Sequence, residues 1–250
     1  MRILQIIPYF TPTRGGDVNV CYNLSKELAE LAKRKHDVTI ATTDYNFDRA
    51  YAQTLETCGV QIMPLRNYAN GTNLFISPGV QQWLKTEIKK YDIIHLHEYR
   101  SFQNIWVHKY AMKHGVPYVL QPHASTPRQT RKHIKWLFDV VFGRAILDDA
   151  GHIIAVSKEE EEFDKHLTQN EEITVIYNGI DLVAFINPPE SSVFREKYGI
   201  CDFAKRRAIP KNFSLHKKNH RYCSSLSLRL LESCCGSGCS NKNVALITQY

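Results

Sequence analysis

The first 180 residues of this sequence predict an α/β fold, a Rossmann-like parallel sheet with helices on both faces. Short runs rich in β-branched and apolar residues alternate there with helical patterns, and the connections between them are short. The 43% of hydrophobic residues in a chain of 250 is typical of a globular protein. No apolar run approaches the roughly 18 residues of a membrane-spanning helix. The N-terminus does not resemble a signal peptide, so a cytoplasmic protein is expected.

Strands are expected where these apolar runs stand between turn signals. They cover residues 2–8, 36–42, 60–64, 92–97, 117–121, 152–156 and 173–177. The last of them ends at Asn178-Gly179, which is a strong turn signal. Strands that alternate with helices in this way form a parallel sheet wrapped by helices.

Helices are expected where apolar residues recur at helical spacing or where capping residues precede a polar run. The first follows a pair of glycines, and one of its faces carries Val20, Leu24, Leu28 and Leu31. Ser77-Pro78 begins another helix, with Ser as the N-cap and Pro in the first turn. Ser157 caps the last one, and the glutamates behind it suit the positive end of a helix dipole without any catalytic role. Two further helices are predicted over residues 101–114 and 126–149.

Residues 201–250 differ from the rest of the chain in charge, cysteine content and periodicity. They hold nine Lys or Arg against two acids, an excess equal to the whole net charge of +7. Five of the seven cysteines also lie there, and no clear alternation of strand and helix is visible. Because the first 200 residues are electrically balanced, a basic patch on the folded part is not supported, and no nucleic-acid partner is expected.

Three explanations of this irregular tail stay open. Translation in a wrong reading frame is favoured, because the composition changes within a few residues of Ile200. The others are a disordered tail and a small metal-binding knuckle. Adjacent Cys234-Cys235 and the distant Cys223 fit zinc-like spacing poorly, so no metal site is expected.

Gly15 and Gly16 follow the first strand, at the start of a helix. Ligands of open α/β sheets bind at the carboxyl ends of the strands, and glycine lets backbone N–H groups come close to a phosphate or a sugar. The pair is not the G-x-G-x-x-G fingerprint of dinucleotide-binding proteins. A tight turn that needs a positive φ explains the two glycines equally well.

Histidines follow two other strands at the same predicted edge of the sheet. His95 and His97 share one face of their strand, and Glu98 comes next. Since no third metal ligand has suitable spacing, these residues are expected to line a cleft rather than to hold a metal. His123 leaves the end of the following strand, where it could donate a hydrogen bond to a substrate hydroxyl or titrate near neutrality.

Residues 128–138 combine basic side chains with Trp136, Leu137 and Phe138. A basic and aromatic helix of this kind can rest on an anionic membrane surface, which would place the protein peripherally at the inner face of the membrane. The alternative is an ordinary helix with one solvated face and one core face.

Six segments resemble, in order and spacing, the retaining glycosyltransferases of family 4, which share the two-Rossmann-domain GT-B fold. The opening strand with its glycine loop, Asp92-Ile-Ile-His-Leu-His97 and Val119-Leu-Gln-Pro-His123 are three of them. The others are residues 36–40, 153–157 and 175–181. The resemblance covers about residues 1–200 and implies transfer of a sugar from a nucleotide-sugar donor to a glycan or lipid-linked acceptor, with retained anomeric configuration.

The resemblance also implies roles for particular residues. Gly15 and Gly16 would approach the donor diphosphate, and His123 would be the catalytic residue near the transferred sugar. His97, Glu98 and Tyr99 would line the acceptor cleft. No cofactor and no metal are implied, because the nucleotide sugar is a substrate and cationic side chains and helix dipoles stabilise its leaving diphosphate.

The sequence departs from the family after Asp181. The Gly-Arg/Lys…Lys-Gly element and the Glu-x₇-Glu motif of the donor-binding domain are not found. Residues 1–182 are therefore interpreted as the acceptor-side domain, 183–200 as a linker and the start of a lost second domain, and 201–250 as the irregular tail. A glycosyltransferase that is inactive as this chain is favoured. The alternatives are a non-catalytic module that binds a glycan or a partner, and one chain of a split glycosyltransferase.

Overall fold

A seven-stranded parallel sheet forms the centre of the computed structural model, which describes residues 1–31, 36–71, 74–127 and 131–179. The strands of the described part are β1 (Arg2–Ile6), β2 (Asp37–Thr43), β3 (Gln61–Leu65), β4 (Ala69–Gly71), β5 (Leu74–Ile76), β6 (Ile93–His97), β7 (Tyr118–Gln121), β8 (His152–Ala155) and β9 (Ile173–Val175). The order across the sheet is β3-β2-β1-β6-β7-β8-β9, and β4 and β5 form a separate antiparallel hairpin. The predicted linker 183–200 and tail 201–250 lie outside the described residues.

Helices cover both faces of the sheet, as the sequence predicts. They are α1 (Gly16–Leu31), α2 (Arg49–Glu56), α3 (Pro78–Glu87), α4 (Phe102–His114), α5 (Lys132–Phe138), α6 (Arg144–Asp148) and α7 (Lys158–Leu167). Adjacent residues of a strand point to opposite faces, and Ile40 and Ala41 of β2 accordingly belong to two different apolar clusters. The cluster with Ile40 is packed by α1 and α2, and the cluster with Ala41 by α3, α4 and α6.

β1 and β6 are neighbours in the sheet. From β1 the strands continue outward to β2 and β3 on one side, and from β6 they continue to β7, β8 and β9 on the other. The direction of the strand order therefore reverses between β1 and β6. Connections then run outward in opposite directions from this pair, which opens a crevice at the carboxyl ends of both strands. Ile7 and Pro8 continue from β1 toward the crevice, and Glu98 follows β6 directly. The topology therefore places the glycine loop and the histidine strand on the same edge.

The predicted helix ends are set by capping residues. Ser101 and Ser157 accept hydrogen bonds from the third backbone N–H of α4 and α7, at 3.1 and 3.2 Å. Gly115 ends α4 with a left-handed φ of 66°, which only glycine adopts without strain. Ser77 precedes α3 as predicted but does not cap it, because its hydroxyl donates to the carbonyl of Arg66 at 2.6 Å.

The long helix expected over residues 126–149 is confirmed over residues 132–148, but it contains a π-helical turn. In the described part, α5 begins at Lys132, and the π-helical turn Asp139–Gly143 separates it from α6. A Cβ on Gly143 would lie 2.2 Å from the Tyr99 hydroxyl oxygen, so the glycine lets the helix pass close to this buried ring. The structure also contains α2 and the β4–β5 hairpin, which the sequence patterns do not predict.

Candidate functional site

Three imidazole rings meet beside the crevice at the ends of β6 and β7. The ring centroids of His95 and His97 are 4.2 Å apart. Those of His97 and His123 are 5.2 Å apart, and the planes of these two rings are nearly parallel. His97 Nδ1 lies 2.9 Å from His123 Nε2, and His97 Nε2 lies 2.6 Å from Gln5 Oε1. The structure thus joins His97 and His123, which the sequence places 26 residues apart, and adds Gln5 of β1 to them.

All three histidines are held in the neutral form. Burial lowers the pKa of His95 to about 4, against a smaller opposing effect of the Gln121 side chain. Burial, reinforced by the neighbouring imidazoles, also lowers the pKa of His97 well below its usual range and that of His123 to about 3. Titration of His123 near neutrality, one of the two roles considered from the sequence, is therefore not supported, and its remaining role is hydrogen bonding.

A buried carboxyl group, that of Glu98, directly follows the histidine strand β6. The Tyr9 hydroxyl donates to Glu98 Oε1, and Asp17 in the first turn of α1 interacts with both groups. Burial raises the pKa of Glu98 to about 7, the Tyr9 hydrogen bond lowers it, and the Asp17 charge raises it. Burial and the adjacent carboxylates raise the pKa of Tyr9 far above its usual value, so its hydroxyl remains a donor. A carboxyl with a pKa near the working pH can exchange a proton or bind a hydroxyl.

The crevice is edged by backbone in a strained conformation. Glu98, His123 and Ala124 have positive φ angles of 64°, 54° and 57°, which residues with a side chain rarely adopt. The buried amide of Asn104 donates to the Glu98 carbonyl at 2.8 Å and so holds that residue in place. Left-handed residues that the surrounding contacts enforce are concentrated at functional sites.

Glu160 fixes the turn that carries His123. Its side chain is 3% exposed, and its carboxylate accepts hydrogen bonds from the backbone N–H groups of Ala124 and Val156. From the sequence, the glutamate run is explained by the dipole of α7. The structure shows that this one member points inward and joins α7 to the loop after β7.

The Gly15-Gly16 loop stands where the sequence predicts, between β1 and α1. Gly15 has a φ of 132°, a value that favours glycine, whereas a Cβ on Gly16 would meet no atom within 4 Å. The backbone therefore requires the first glycine, and the space beside the second is open. Arg14 precedes them, and its guanidinium lies 4.8 Å from the centre of the Tyr9 ring, which brings a cation to the N-terminus of α1.

Tyr99 does not line a cleft with its side chain. It is fully buried in the core beneath the π-helical turn, with its ring edge-on to Phe138 at 6.0 Å. Its backbone N–H donates to Ser125 Oγ at 3.0 Å, so it supports the loop after β7. Of the three residues expected in the acceptor cleft, His97 and Tyr99 are thus fully buried, and Glu98 is partly exposed.

The segment that the sequence singles out for membrane contact has an apolar outer surface. We name it the 134–142 ridge, and its side chains are 42–64% exposed: Ile134, Trp136, Leu137, Val140, Val141 and Phe142. Exposed Lys132 and Arg144 stand at its two ends. Residues 128–130 of the predicted segment lie outside the described residues. No helix in the described part has the length and apolar character needed to cross a membrane.

Histidine, cysteine and carboxylate side chains do not form a group of three or more that could hold a metal ion within the described ranges. His97 is instead hydrogen-bonded to His123 and to Gln5, and the ring of His95 lies beside that of His97. Glu98 is a carboxyl of this edge whose pKa is raised to about 7.

The family model of glycosyltransferase family 4 matches residues 14–183. This range includes most of the glycine loop, the histidine strand and the His123 turn. The chain belongs to glycosyltransferase family 4. Its Rossmann-like sheet is that of the N-terminal half of a GT-B fold, as expected from the resemblance of the six segments.

Solved structures of HepE from Anabaena have the same fold. The complex of HepE with UDP-glucose matches with a TM-score of 0.60 and 18% identity, over 81% of this chain and 50% of the HepE chain. The complex with UDP and glucose gives 0.59 and 19%, over 80% and 50%. The chain of this family 4 member thus spans about half the length of these proteins. No curated protein matches it.

Several residues of the site are not predicted from the sequence. Gln5 and Tyr9 lie in or after a strand that reads as ordinary core, and Asn104 lies in the first turn of α4, where nothing in the sequence marks it. Arg14 had a usable signal, because a cation beside a glycine loop is a common anion-binding arrangement. Glu160 is not distinguishable from the three other glutamates of its run until the inward face of α7 is known.

Proposed function

We propose that residues 1–182 form the acceptor-side domain of a glycosyltransferase that moves a sugar from a nucleotide-sugar donor to a glycan or lipid-linked acceptor, with retention. The observation that carries the proposal is that the hydrogen-bonded pairs His97–His123 and Tyr9–Glu98 both lie at the strand ends beside the Gly15-Gly16 loop. Membership of family 4 and the fold likeness to HepE, which was solved with UDP-glucose, support it.

Each residue has a chemical task in this proposal. Gly15 and Gly16 expose N–H groups at the start of α1, which favour the negative charge of a diphosphate. His123 is neutral and hydrogen-bonds a hydroxyl of the donor sugar near the reacting carbon. Glu98, with a pKa of about 7, binds the acceptor hydroxyl and can take up its proton.

The donor contact is tested by saturation-transfer NMR of the full chain with UDP-glucose, a method that detects weak binding. Saturation transfer to the glucosyl protons is expected, and His123→Ala is expected to reduce it about tenfold, since one hydrogen bond to the sugar contributes about 1 kcal/mol or somewhat more. His114→Ala is the matched control, because that histidine is exposed at the far end of α4.

Equal signals from the wild-type chain and His123→Ala would contradict the assignment of His123. Binding of methyl glycosides without any binding of UDP-glucose or UDP would instead favour a non-catalytic glycan-binding module. Sugar transfer that appears only when a second, donor-binding chain is added would identify a split enzyme.

We also propose that the 134–142 ridge rests on an anionic membrane surface, where a lipid-linked acceptor would be found. Six exposed apolar side chains beside Lys132 and Arg144 match the interface between acyl chains and anionic headgroups. The ridge follows the His123 loop along the chain, so contact through it would bring the crevice close to lipid-borne sugars.

Vesicle cosedimentation checks the membrane contact. The chain is expected to bind vesicles of phosphatidylcholine with 30 mol% phosphatidylglycerol and to bind pure phosphatidylcholine several-fold more weakly, about 1 kcal/mol being expected from each nearby cation. Trp136→Ser with Val141→Ser should weaken binding at least about tenfold through lost apolar burial. Met112→Ser, which removes an apolar side chain of 53% exposure on α4, is the control.

If the double substitution leaves vesicle binding unchanged but abolishes self-association of the chain, the ridge is a protein interface and the membrane proposal fails.

A further inference from the structure

We propose that Gln5 and His97 act as positioning residues that fix the tautomer of His123, so that His123 offers an unprotonated Nδ1 to its ligand. The part of this inference that names a sugar hydroxyl as the ligand rests on the proposed function. The tautomer itself follows from hydrogen bonds within the chain and can be measured without any ligand.

The orientation of the Gln5 amide is the starting point. One end of the amide faces both His97 Nε2, at 2.6 Å, and the sulfur of Cys21, at 3.8 Å. Cys21 is fully buried, and burial raises the pKa of its thiol, so the sulfur keeps its proton and can act as a weak donor. The structure assigns the amide oxygen to this end, and the Cys21 thiol, which has a proton to donate, favours that orientation over the amide nitrogen.

The proton positions of both imidazoles follow from this oxygen. Because Gln5 Oε1 can only accept, His97 Nε2 must carry a proton. A neutral imidazole has one N–H group, so His97 Nδ1 is left with a lone pair. His123 Nε2, at 2.9 Å from that lone pair, must then be the donor, and its own single proton is used there.

We call the hydrogen bonds from His123 to His97 and from His97 to Gln5 the relay. Burial keeps both imidazoles of the relay neutral. A second proton on His97 would set its Nδ1–H against the Nε2–H of His123, and a second proton on His123 would turn its Nδ1 from an acceptor into a donor. The pKa values of His97 and His123 lie far below neutrality, so the neutral forms persist at pH 7. The two rings are related by an interplanar angle of 12°. His123 is partly exposed, and no described residue is hydrogen-bonded to its Nδ1.

The relay determines the direction of the hydrogen bond between His123 and its ligand. His123 Nδ1 can accept a hydrogen bond but cannot donate one, so it selects a group that carries a proton, such as a sugar hydroxyl. A fluorine atom in place of that hydroxyl cannot donate and should not be held. The sequence alone leaves His123 as a donor or a titrating group, whereas the relay makes it an acceptor.

The test is a long-range ¹H–¹⁵N spectrum of the imidazole rings in the full chain at pH 7, which distinguishes the two tautomers. His97→Gln and His123→Ala spectra assign the two rings. Both rings are expected in the Nε2–H tautomer. An Nδ1–H tautomer of His123 in the wild-type chain would overturn the inference.

Substitution of Gln5 separates positioning from packing. Gln5→Leu removes the acceptor, and a shift of both rings toward a mixture of tautomers is expected. Gln5→Glu restores an acceptor at the same place and should restore the Nε2–H form. If Gln5→Leu lowers stability but leaves the tautomers of both rings unchanged, Gln5 is only a packing residue and the relay is refuted.

Addition of UDP-glucose tests the ligand separately. A change of the His123 Nδ1 resonance that is absent with a fluorinated glucosyl donor is expected. No change with either donor would count against the sugar contact and the proposed function, while the tautomers in the free chain would still decide the relay.

Discussion

Replacement of Arg100 by alanine is expected to lower the free energy of unfolding by about 3–5 kcal/mol. The guanidinium forms a two-point ion pair with Asp139, with both N–O distances at 2.8 Å, and the two side chains are 10% and 6% exposed. It also donates to the carbonyls of Ser125 and Thr126, at 2.5 and 2.8 Å. Alanine would therefore leave a buried carboxylate and two carbonyls without this donor.

Urea unfolding of the full chain measures this effect. Arg49→Ala is the matched control, because Arg49 pairs with Glu56 at 3.0 Å on the surface and is 64% exposed. Its loss should change the free energy of unfolding by less than about 1 kcal/mol. Joint replacement by Arg100→Met and Asp139→Leu should recover a large part of the stability, since no charge is then left buried alone.

A double variant as unstable as Arg100→Ala would show that the carbonyl contacts, and not the ion pair, hold the loop after β7. If Arg100→Ala does not yield folded protein, Arg100→Lys answers the same question. Lysine keeps the charge but loses the two-point geometry, so a loss intermediate between those of the wild type and alanine is expected.

Asp164→Asn is expected to stabilise the protein at pH 8, by about 2–4 kcal/mol, and to have little effect at pH 4. The Asp164 side chain is fully buried in α7, and neither of its carboxylate oxygens has a hydrogen bond of ordinary geometry within the described part of the chain. Burial, together with the charge of Glu160 one helical turn earlier, raises its pKa from 3.8 to about 7, with a smaller opposing effect of the Thr126 hydroxyl.

Stability is expected to fall as the pH rises, because the folded chain retains the proton of Asp164 to a higher pH than the unfolded chain does. Below pH 4 the carboxyl of Asp164 is neutral in both the folded and the unfolded chain, and burial is not penalised. Between pH 4 and 7 the unfolded chain releases the proton while the folded chain holds it, so stability falls as the pH rises. Asparagine carries no charge at any of these pH values and removes this loss.

Urea unfolding at pH 4, 6 and 8 checks the prediction, with Glu30→Gln on the exposed face of α1 as a control that should stay within about 0.5 kcal/mol at every pH. Some pH dependence should remain in Asp164→Asn, because the raised pKa of Glu98 acts in the same direction. An equal change in stability at pH 4 and pH 8 would show that Asp164 is not the proton-binding group.

The secondary structure was predictable wherever local chemistry decides it. The caps Ser101 and Ser157 and the turn at Gly115 act on their own helices, so the bounds of α4 and α7 could be read from the chain. The π-helical turn between α5 and α6 could not be predicted in this way. It depends on Tyr99, a residue 44 positions away from Gly143, whose hydroxyl occupies the space of a Cβ.

The sequence by itself determined the α/β class, the parallel sheet and the edge at which Gly15, His97 and His123 stand, because these follow from local periodicity and from the rule that parallel strands share their carboxyl edge. Only the tertiary structure decided which side chains act together. Gln5 of β1 accepts a hydrogen bond from His97 of the neighbouring strand β6. Glu160, in a helix further along the chain, holds the turn of His123. Whether a side chain carries a proton, and whether a residue adopts a strained φ, depends on burial and on contacts between distant residues. No local sequence pattern encodes these.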